Sequence, residues 1–91
     1  MKATLYKHDG TSLPVTPANG RSFSLAELQG FVGGYIESID LADGSVMVVN
    51  EDGKLYGLPV NEQATEILRN NSKMFTDFIV GDVLICKPNY L

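Results

Sequence analysis

The chain contains one histidine and one cysteine, the side chains that could serve as a catalytic base and a nucleophile. His8 lies in a His-Asp-Gly turn beside Asp9, whereas Cys86 directly follows the apolar pair at 84–85. A free cysteine among apolar residues usually packs as a small hydrophobe, and a histidine needs partners from elsewhere in the fold to act as a base. The sequence therefore predicts a buried, structural Cys86 and no catalytic residue.

Three acidic residues, Asp43, Glu51 and Asp52, lie in or near predicted hairpin turns and could offer oxygen ligands to a metal ion. A calcium-binding loop needs alternating acids followed by a distant glutamate, and that spacing is absent. Solvent-exposed turn carboxylates account for the three residues, so we predict no metal site.

The glycine-rich segment 30–34 invites comparison with phosphate-binding loops. Those loops place their glycines before a helix, where free amides and the positive end of the macrodipole face the anion. Here Gly33 and Gly34 follow a predicted helix, where the macrodipole is negative and glycine adopts the left-handed conformation of a helix end. We therefore predict that these glycines end the helix, and we predict no cofactor.

Polar residues at the ends of predicted strands and helices form the candidate ligand or partner surface. Asn50 and Glu51 end an apolar strand, where polar groups must find partners or face a cleft. The alternative is that Asn50 caps the following turn with its own side chain. The full candidate surface consists of Tyr35, Glu37, Asn50, Glu51 and Asn61.

Length and composition favour one small globular domain over residues 1–91. Apolar residues make up 44% of the chain, and the charged residues interrupt every stretch long enough to cross a membrane. Eleven acids oppose seven scattered bases, giving a net charge of -4 and no basic stripe for nucleic acid. The first residues contain no apolar run of signal-peptide length, so we expect a cytoplasmic protein that binds neither membrane nor nucleic acid.

Two short helices are predicted, at Ser24–Gly33 and Asn61–Asn70. Ser24 precedes an apolar-periodic run and Glu27 follows three positions later, which is the spacing of a capping box. Asn61 is the predicted N-cap of the second helix, with Glu62 adding a negative charge near its positive end.

The strands are predicted from alternating or continuous apolar residues between turns. Pro14 cannot donate to a ladder, so its strand should lie at a sheet edge. Gly81 predicts a bulge or turn inside the apolar run 78–86. The segment 73–77 is a predicted link. The predicted strands are Met1–Tyr6, Ser12–Thr16, Tyr35–Leu41, Val46–Val49, Leu55–Tyr56 and Val83–Cys86.

These elements predict an α+β fold, with a curved antiparallel sheet of about five strands and the two helices packed against it. The strand Val46–Val49 is apolar on both faces and should lie inside the sheet, covered on each side. The meander over 35–56 should be completed by Val83–Cys86.

Three segments resemble, in order, an uncharacterised family of short proteins from bacteriophages, plasmids and integrated mobile elements: LQGFVGGYIE (28–37), VVNEDGKLYGLPVNEQAT (48–65) and DFIVGDVLI (77–85). The resemblance covers a core over 23–85, and it implies no established activity and no inherited residue roles. The family's motif positions fall on Gly33-Gly34, Asn50-Glu51, Leu58-Pro59-Asn61 and Val80-Gly81-Asp82.

Our leading hypothesis is a non-catalytic accessory protein of a phage or mobile element that binds a protein partner. A host-encoded protein is one such partner, and self-association is an alternative. A second hypothesis is a protein that sequesters a small molecule or nucleotide at the candidate surface. An enzyme of unknown class is the third.

Overall fold

The computed structural model describes residues 3–71 and 77–91. Met1 and Lys2 of the predicted first strand, and most of the predicted link 73–77, lie outside these ranges. Within them, no helix has the length and apolar character needed to span a membrane. The elements are β1 (Ala3–Tyr6), β2 (Ser12–Val15), α1 (Leu25–Val32), β3 (Ile36–Asp40), β4 (Val46–Asn50), α2 (Glu62–Asn71), β5 (Val83–Cys86) and a final 3-10 turn (Pro88–Tyr90).

The five strands form an open antiparallel sheet in the order β2-β1-β5-β4-β3. The predicted α+β class is therefore confirmed. β5 lies between β1 and β4, with Val48 opposite Leu84, so the last strand completes the β3–β4 hairpin as predicted. β2 carries Pro14 at one edge of the sheet, also as predicted, and β3 forms the other edge.

The two helices pack on opposite faces of the sheet. The α1 face buries Val46, Val48, Leu84 and Cys86 with Phe23, Leu28 and Val32. The α2 face buries Met47, Val49 and Val83 with Leu41, Ala64, Leu68 and Ile79. Because successive residues of β4 point to alternate faces and both faces are covered, all five of its residues are buried. The prediction of an inner strand at 46–49 is confirmed.

The ends of α1 are set by local interactions. The Ser24 hydroxyl accepts from the Glu27 backbone N–H at 3.1 Å, and the Glu27 carboxylate accepts from the Ser24 backbone N–H at 2.9 Å. Gly33 ends the helix with a left-handed φ of 81°. The predicted capping box and the predicted role of Gly33 in ending the helix are both confirmed.

The predicted strand Leu55–Tyr56 is wrong, because the segment 51–57 forms consecutive turns. The Tyr56 N–H donates to the Asp52 oxygen at 3.0 Å, and the Leu58 N–H donates to the Gly53 oxygen at 3.0 Å. These local hydrogen bonds use the backbone groups that a third meander strand would need, and β5 occupies the position beside β4.

Candidate functional site

A cleft of about 300 Å³ opens on the α2 face of the sheet, beside β3. It lies between the loop 51–57 and the segment 77–80. Its floor is apolar and its rim carries four carboxylates and one ammonium group, so its chemistry suits a ligand with apolar and cationic groups. The lining residues are Glu37, Ile39, Val49, Asn50, Glu51, Asp52, Lys54, Leu55, Asp77, Phe78, Ile79 and Val80.

The loop 51–57 is held in place by Asn50 and Gly53. The Asn50 Oδ1 accepts from the Asp52 N–H at 2.8 Å, which starts the first turn. Gly53 lies so close to the segment opposite that a Cβ atom would be 2.8 Å from the Val80 Cγ2. The close approach requires glycine at this position and brings the loop against one wall of the cleft.

Lys54 connects the loop 51–57 to the other side of the cleft. Its Nζ forms an ion pair with Asp77 and lies 4.7 Å from the centroid of the Phe78 ring. The hydrogen bond from Lys54, followed by that from the Phe78 N–H, lowers the pKa of the Asp77 carboxyl below its usual range. The single cation of the rim is therefore already engaged, which leaves three rim carboxylates without a lysine or arginine partner within the described residues.

Large apolar side chains are exposed beside the cleft, a group we call the apolar surface: Tyr35, Leu55, Tyr56 and Phe78. Leu55 is 81% exposed, Tyr35 68%, Tyr56 67% and Phe78 43%. Tyr35 and Tyr56 line a shallow depression together with Asp52, which also lines the cleft. The cleft and the depression therefore adjoin at Asp52, and the apolar surface has residues in both.

The structure brings together most, but not all, of the predicted surface residues. Glu37, Asn50 and Glu51 line the cleft, and Tyr35 lies in the adjoining depression. Both polar atoms of Asn50 bind backbone groups, since its Nδ2 also donates to the Val32 oxygen at 3.1 Å. The alternative interpretation of Asn50, that it caps its own turn, describes what is observed.

Asn61 lies away from the cleft and is 0% exposed. Its Nδ2 donates to the Tyr6 oxygen at 2.9 Å and to the Gly81 oxygen at 2.8 Å. Its Oδ1 accepts from the Ala64 N–H at 3.0 Å, which makes it the N-cap of α2 as predicted. Asn61 thus joins three segments of the chain, and its side-chain amide is fully used in doing so.

His8 and Cys86 are not brought together. The Nδ1 of His8 lies 2.9 Å from the Asp82 Oδ1, in a shallow depression whose lining contains no serine, threonine or cysteine. Cys86 is buried in the α1 face, and burial raises the pKa of its thiol. Within 3–71 and 77–91, no group of three or more histidine, cysteine, aspartate or glutamate side chains is placed to hold a metal.

Lys54, Leu55, Asp77 and Phe78 line the cleft but were not among the residues predicted from the sequence. Lys54 and Asp77 are 23 residues apart, with α2 between them, so no local pattern links them. Leu55 and Tyr56 were predicted as a strand, and their exposure follows only from the turns that the segment forms instead.

The chain was compared with curated proteins, with solved structures and with models of protein families. No curated protein and no solved structure matches it. A family model described as a domain of unknown function, DUF3846, matches residues 1–90. This match extends beyond the 23–85 core of the sequence resemblance and includes β1, β2 and the final turn. The chain belongs to the DUF3846 family.

Proposed function

We propose that this chain is a non-catalytic binding protein that receives a protein partner on the apolar surface and the adjoining cleft. The observation that carries the proposal is the exposure of four large apolar side chains, Leu55 and Phe78 at the cleft and Tyr35 and Tyr56 at the depression that shares Asp52 with it. Exposed apolar patches rimmed by polar groups mark interaction sites, and aromatic residues dominate the binding energy of interfaces.

The negative charge of the rim indicates which kind of partner the site can bind. Glu37, Glu51 and Asp52 lie on the rim, while Lys54 is engaged by Asp77. A partner that presents basic residues around an apolar side chain complements this surface. A second copy of the chain is a poorer partner, because it would bring two sets of carboxylates together.

We propose further that the protein is an accessory factor of a phage or other mobile element and acts in the cytoplasm of the host. This assignment is supported by the sequence resemblance to proteins of such elements. A host protein with a basic, partly apolar segment is the corresponding partner.

The experiment uses the purified chain as bait in a bacterial lysate, beside the variants Leu55→Ser and Leu13→Ser. Leu13 is an exposed leucine on β2, at the opposite edge of the sheet, and provides the matched control. Proteins whose capture depends on Leu55 are identified by mass spectrometry, purified, and titrated against the three chains.

The expected result is a basic partner bound about tenfold more weakly by Leu55→Ser and equally well by Leu13→Ser. Capture that does not depend on Leu55 in repeated lysates would count against the proposal.

A second function, sequestration of a small molecule, is supported by the volume and apolar floor of the cleft. Its rim carboxylates favour a cationic ligand over a nucleotide. Mass spectrometry of the chain after incubation with a bacterial metabolite extract tests this function. An amine that binds the unmodified chain but not Glu51→Gln would favour sequestration. Protein that carries no bound small molecule in repeated extracts would oppose it.

A further inference from the structure

The outer edge of β3 has a row of backbone hydrogen-bonding groups with no partner strand in the part of the chain that the structure describes. The Glu51 N–H donates to the Tyr35 oxygen at 2.8 Å, and the Leu41 N–H donates to the Ser45 oxygen at 2.9 Å. In an antiparallel pair, hydrogen-bonded positions alternate with positions that face away. The N–H and C=O groups of Ile36, Ser38 and Asp40 therefore point away from β4, and no strand among the described residues pairs with that side.

The opposite edge of the sheet is less suited to accept a strand. The Lys7 N–H donates to the Thr11 oxygen at 2.8 Å, and continuation of this register directs Ser12 and Pro14 outward. Pro14 has no N–H to donate, so it interrupts the outward row of β2. Of the two edges, β3 is the one whose outward row retains every N–H.

The cleft lies where side chains of a strand added to β3 would point. Glu37 and Ile39 of β3 line the cleft, and cross-strand neighbours of an added strand lie about 5 Å from such residues on the same face. An apolar side chain of the added strand can therefore enter the cleft and contact Ile39 and its neighbour Val49. Because side chains alternate along a strand, the residues between the apolar ones point to the opposite face, where basic groups can reach the exposed Asp40 of β3.

The acidic residues at the β3 edge also determine which kind of strand can pair with it. Glu37 and Asp40 lie on β3 itself and are exposed, and Glu51 follows the paired strand. Charged residues at a sheet edge oppose pairing with a like-charged strand, including the β3 of a second copy. The same acidic residues attract a strand with basic side chains.

We propose that β3 accepts an extended partner segment with alternating basic and apolar residues, which adds a sixth strand and places an apolar side chain in the cleft. This mode of binding rests on the proposed function and specifies it. Main-chain hydrogen bonds supply affinity, and the cleft together with Asp40 on the opposite face supplies selectivity.

The probe is a synthetic peptide of about ten residues in which lysine and valine alternate, long enough to span β3. Its affinity for the full chain is measured by fluorescence anisotropy with Ser38→Pro and Ser38→Ala. Proline at 38 removes an outward N–H, while the ladder bonds to β4 come from other residues. Alanine at 38 keeps that N–H, and is the matched control.

The expected result is that Ser38→Pro weakens peptide binding by about tenfold, whereas Ser38→Ala changes it by less than about twofold. A peptide with glutamate in place of lysine should not bind. In the unmodified chain, the bound peptide should slow hydrogen exchange at Ile36, Ser38 and Asp40 and leave Ser12 unchanged.

A second peptide keeps the test independent of how well Ser38→Pro folds. Methylation of alternate backbone nitrogens in the lysine–valine peptide removes its ladder donors, and this peptide should fail to bind the unmodified chain. Equal binding of methylated and unmethylated peptides, or unchanged exchange at Ile36, Ser38 and Asp40, would overturn strand addition.

Three further outcomes can be told apart. If the captured partner requires Leu55 but binds Ser38→Pro normally, strand addition is wrong and the proposed function stands. Partner capture that does not depend on Leu55 overturns the proposed function, whatever the Ser38 variants show. A dimer in sedimentation that Ser38→Pro dissociates would overturn the basic segment as occupant and identify a second copy instead.

Discussion

The Nδ2 of Asn50 donates a hydrogen bond to the backbone oxygen of Val32 at 3.1 Å, which ties the end of β4 to the last turn of α1. Gly34 lies beside this bond, since a Cβ atom on it would be 2.9 Å from the Asn50 Nδ2. The amide cannot move away freely, because its Oδ1 also accepts from Asp52. The wall of the cleft and the end of α1 therefore depend on the same side chain.

Gly34→Ala should lower the free energy of unfolding by about 1–3 kcal/mol, since the added methyl group displaces a buried, hydrogen-bonded amide. Gly34 has no positive φ, so the cost comes from this contact and not from backbone strain. Urea unfolding of Gly34→Ala, Asn50→Ala and the double variant measures this loss. Gly34→Ala should lower the free energy of unfolding by less in the Asn50→Ala background, where the amide is absent.

Gly30→Ala is the matched control for that cycle. Gly30 lies inside α1, and a Cβ atom on it would have no atom within 4 Å other than those of its own helix backbone and chain neighbours. Alanine there should stabilise the chain by about 0.5–1 kcal/mol, because glycine is the poorer helix former. An equal cost of Gly34→Ala with and without the Asn50 amide would refute the proposed contact.

Asn61→Ser should destabilise the chain by about 2–4 kcal/mol, although serine is itself a good N-cap. The shorter side chain can still accept from Ala64 but cannot donate to the buried oxygens of Tyr6 and Gly81. Chemical denaturation measures the loss. Asn19→Ser, the same change at an exposed residue whose oxygen accepts from Arg21, should stay within about 0.5 kcal/mol, and similar losses at both positions would contradict this account.

Asn61 also marks how far the sequence could predict the structure. Its role as an N-cap depends on Ala64, three residues away, and such local patterns also predicted the capping box at Ser24. Its bonds to Tyr6 and Gly81 span 55 and 20 residues, and no local pattern contains them. The same limit hid the Lys54–Asp77 contact, which forms only when the fold brings the two sides of the cleft together.

The strand predicted at Leu55–Tyr56 shows a different limit. The alternation of residues after Asn50 suits either a returning strand or a series of turns. The choice is made by Gly53, which packs against Val80, and by β5, which takes the place beside β4. Both are contacts between distant segments, so the choice between strand and turns could not be read from the residues of the segment itself.

Glu27→Gln should lower the free energy of unfolding near neutral pH and should make that free energy depend less on pH. The Ser24 and Ala18 backbone N–H groups, in that order, lower the pKa of Glu27 below its ordinary value of 4.5. Because the pKa is lower in the folded chain, the charged carboxylate stabilises the fold fully above the ordinary pKa of 4.5. This contribution is lost as the pH falls through the folded pKa. Glutamine has one acceptor oxygen and cannot serve both N–H groups as the carboxylate does.

The stability difference between the two chains, measured by urea unfolding, should therefore be largest at about pH 7 and shrink at about pH 3. Glu66→Gln, at an exposed position on α2, is the control and should have little effect at either pH. A difference that is the same at both pH values would show that the carboxylate's charge is not what stabilises the start of α1.

The Cys86 thiol should react slowly with a disulfide reagent in the folded chain. The side chain is fully buried beneath α1, and burial raises the pKa of the thiol, so both access and the thiolate fraction are low. Reaction then requires unfolding, and the rate of thiol modification followed by absorbance should rise by about a hundredfold or more as urea unfolds the chain.

An exposed cysteine provides the comparison for Cys86. Ser12→Cys, on the outer edge of β2, combined with Cys86→Ala should react at the same fast rate in the absence and in the presence of urea. If native Cys86 reacted as fast as this surface thiol, the α1 face would have to open readily under native conditions. The closed packing of Cys86 against Val46 and Leu84 predicts the opposite, because a reagent can reach the sulfur only after those contacts separate.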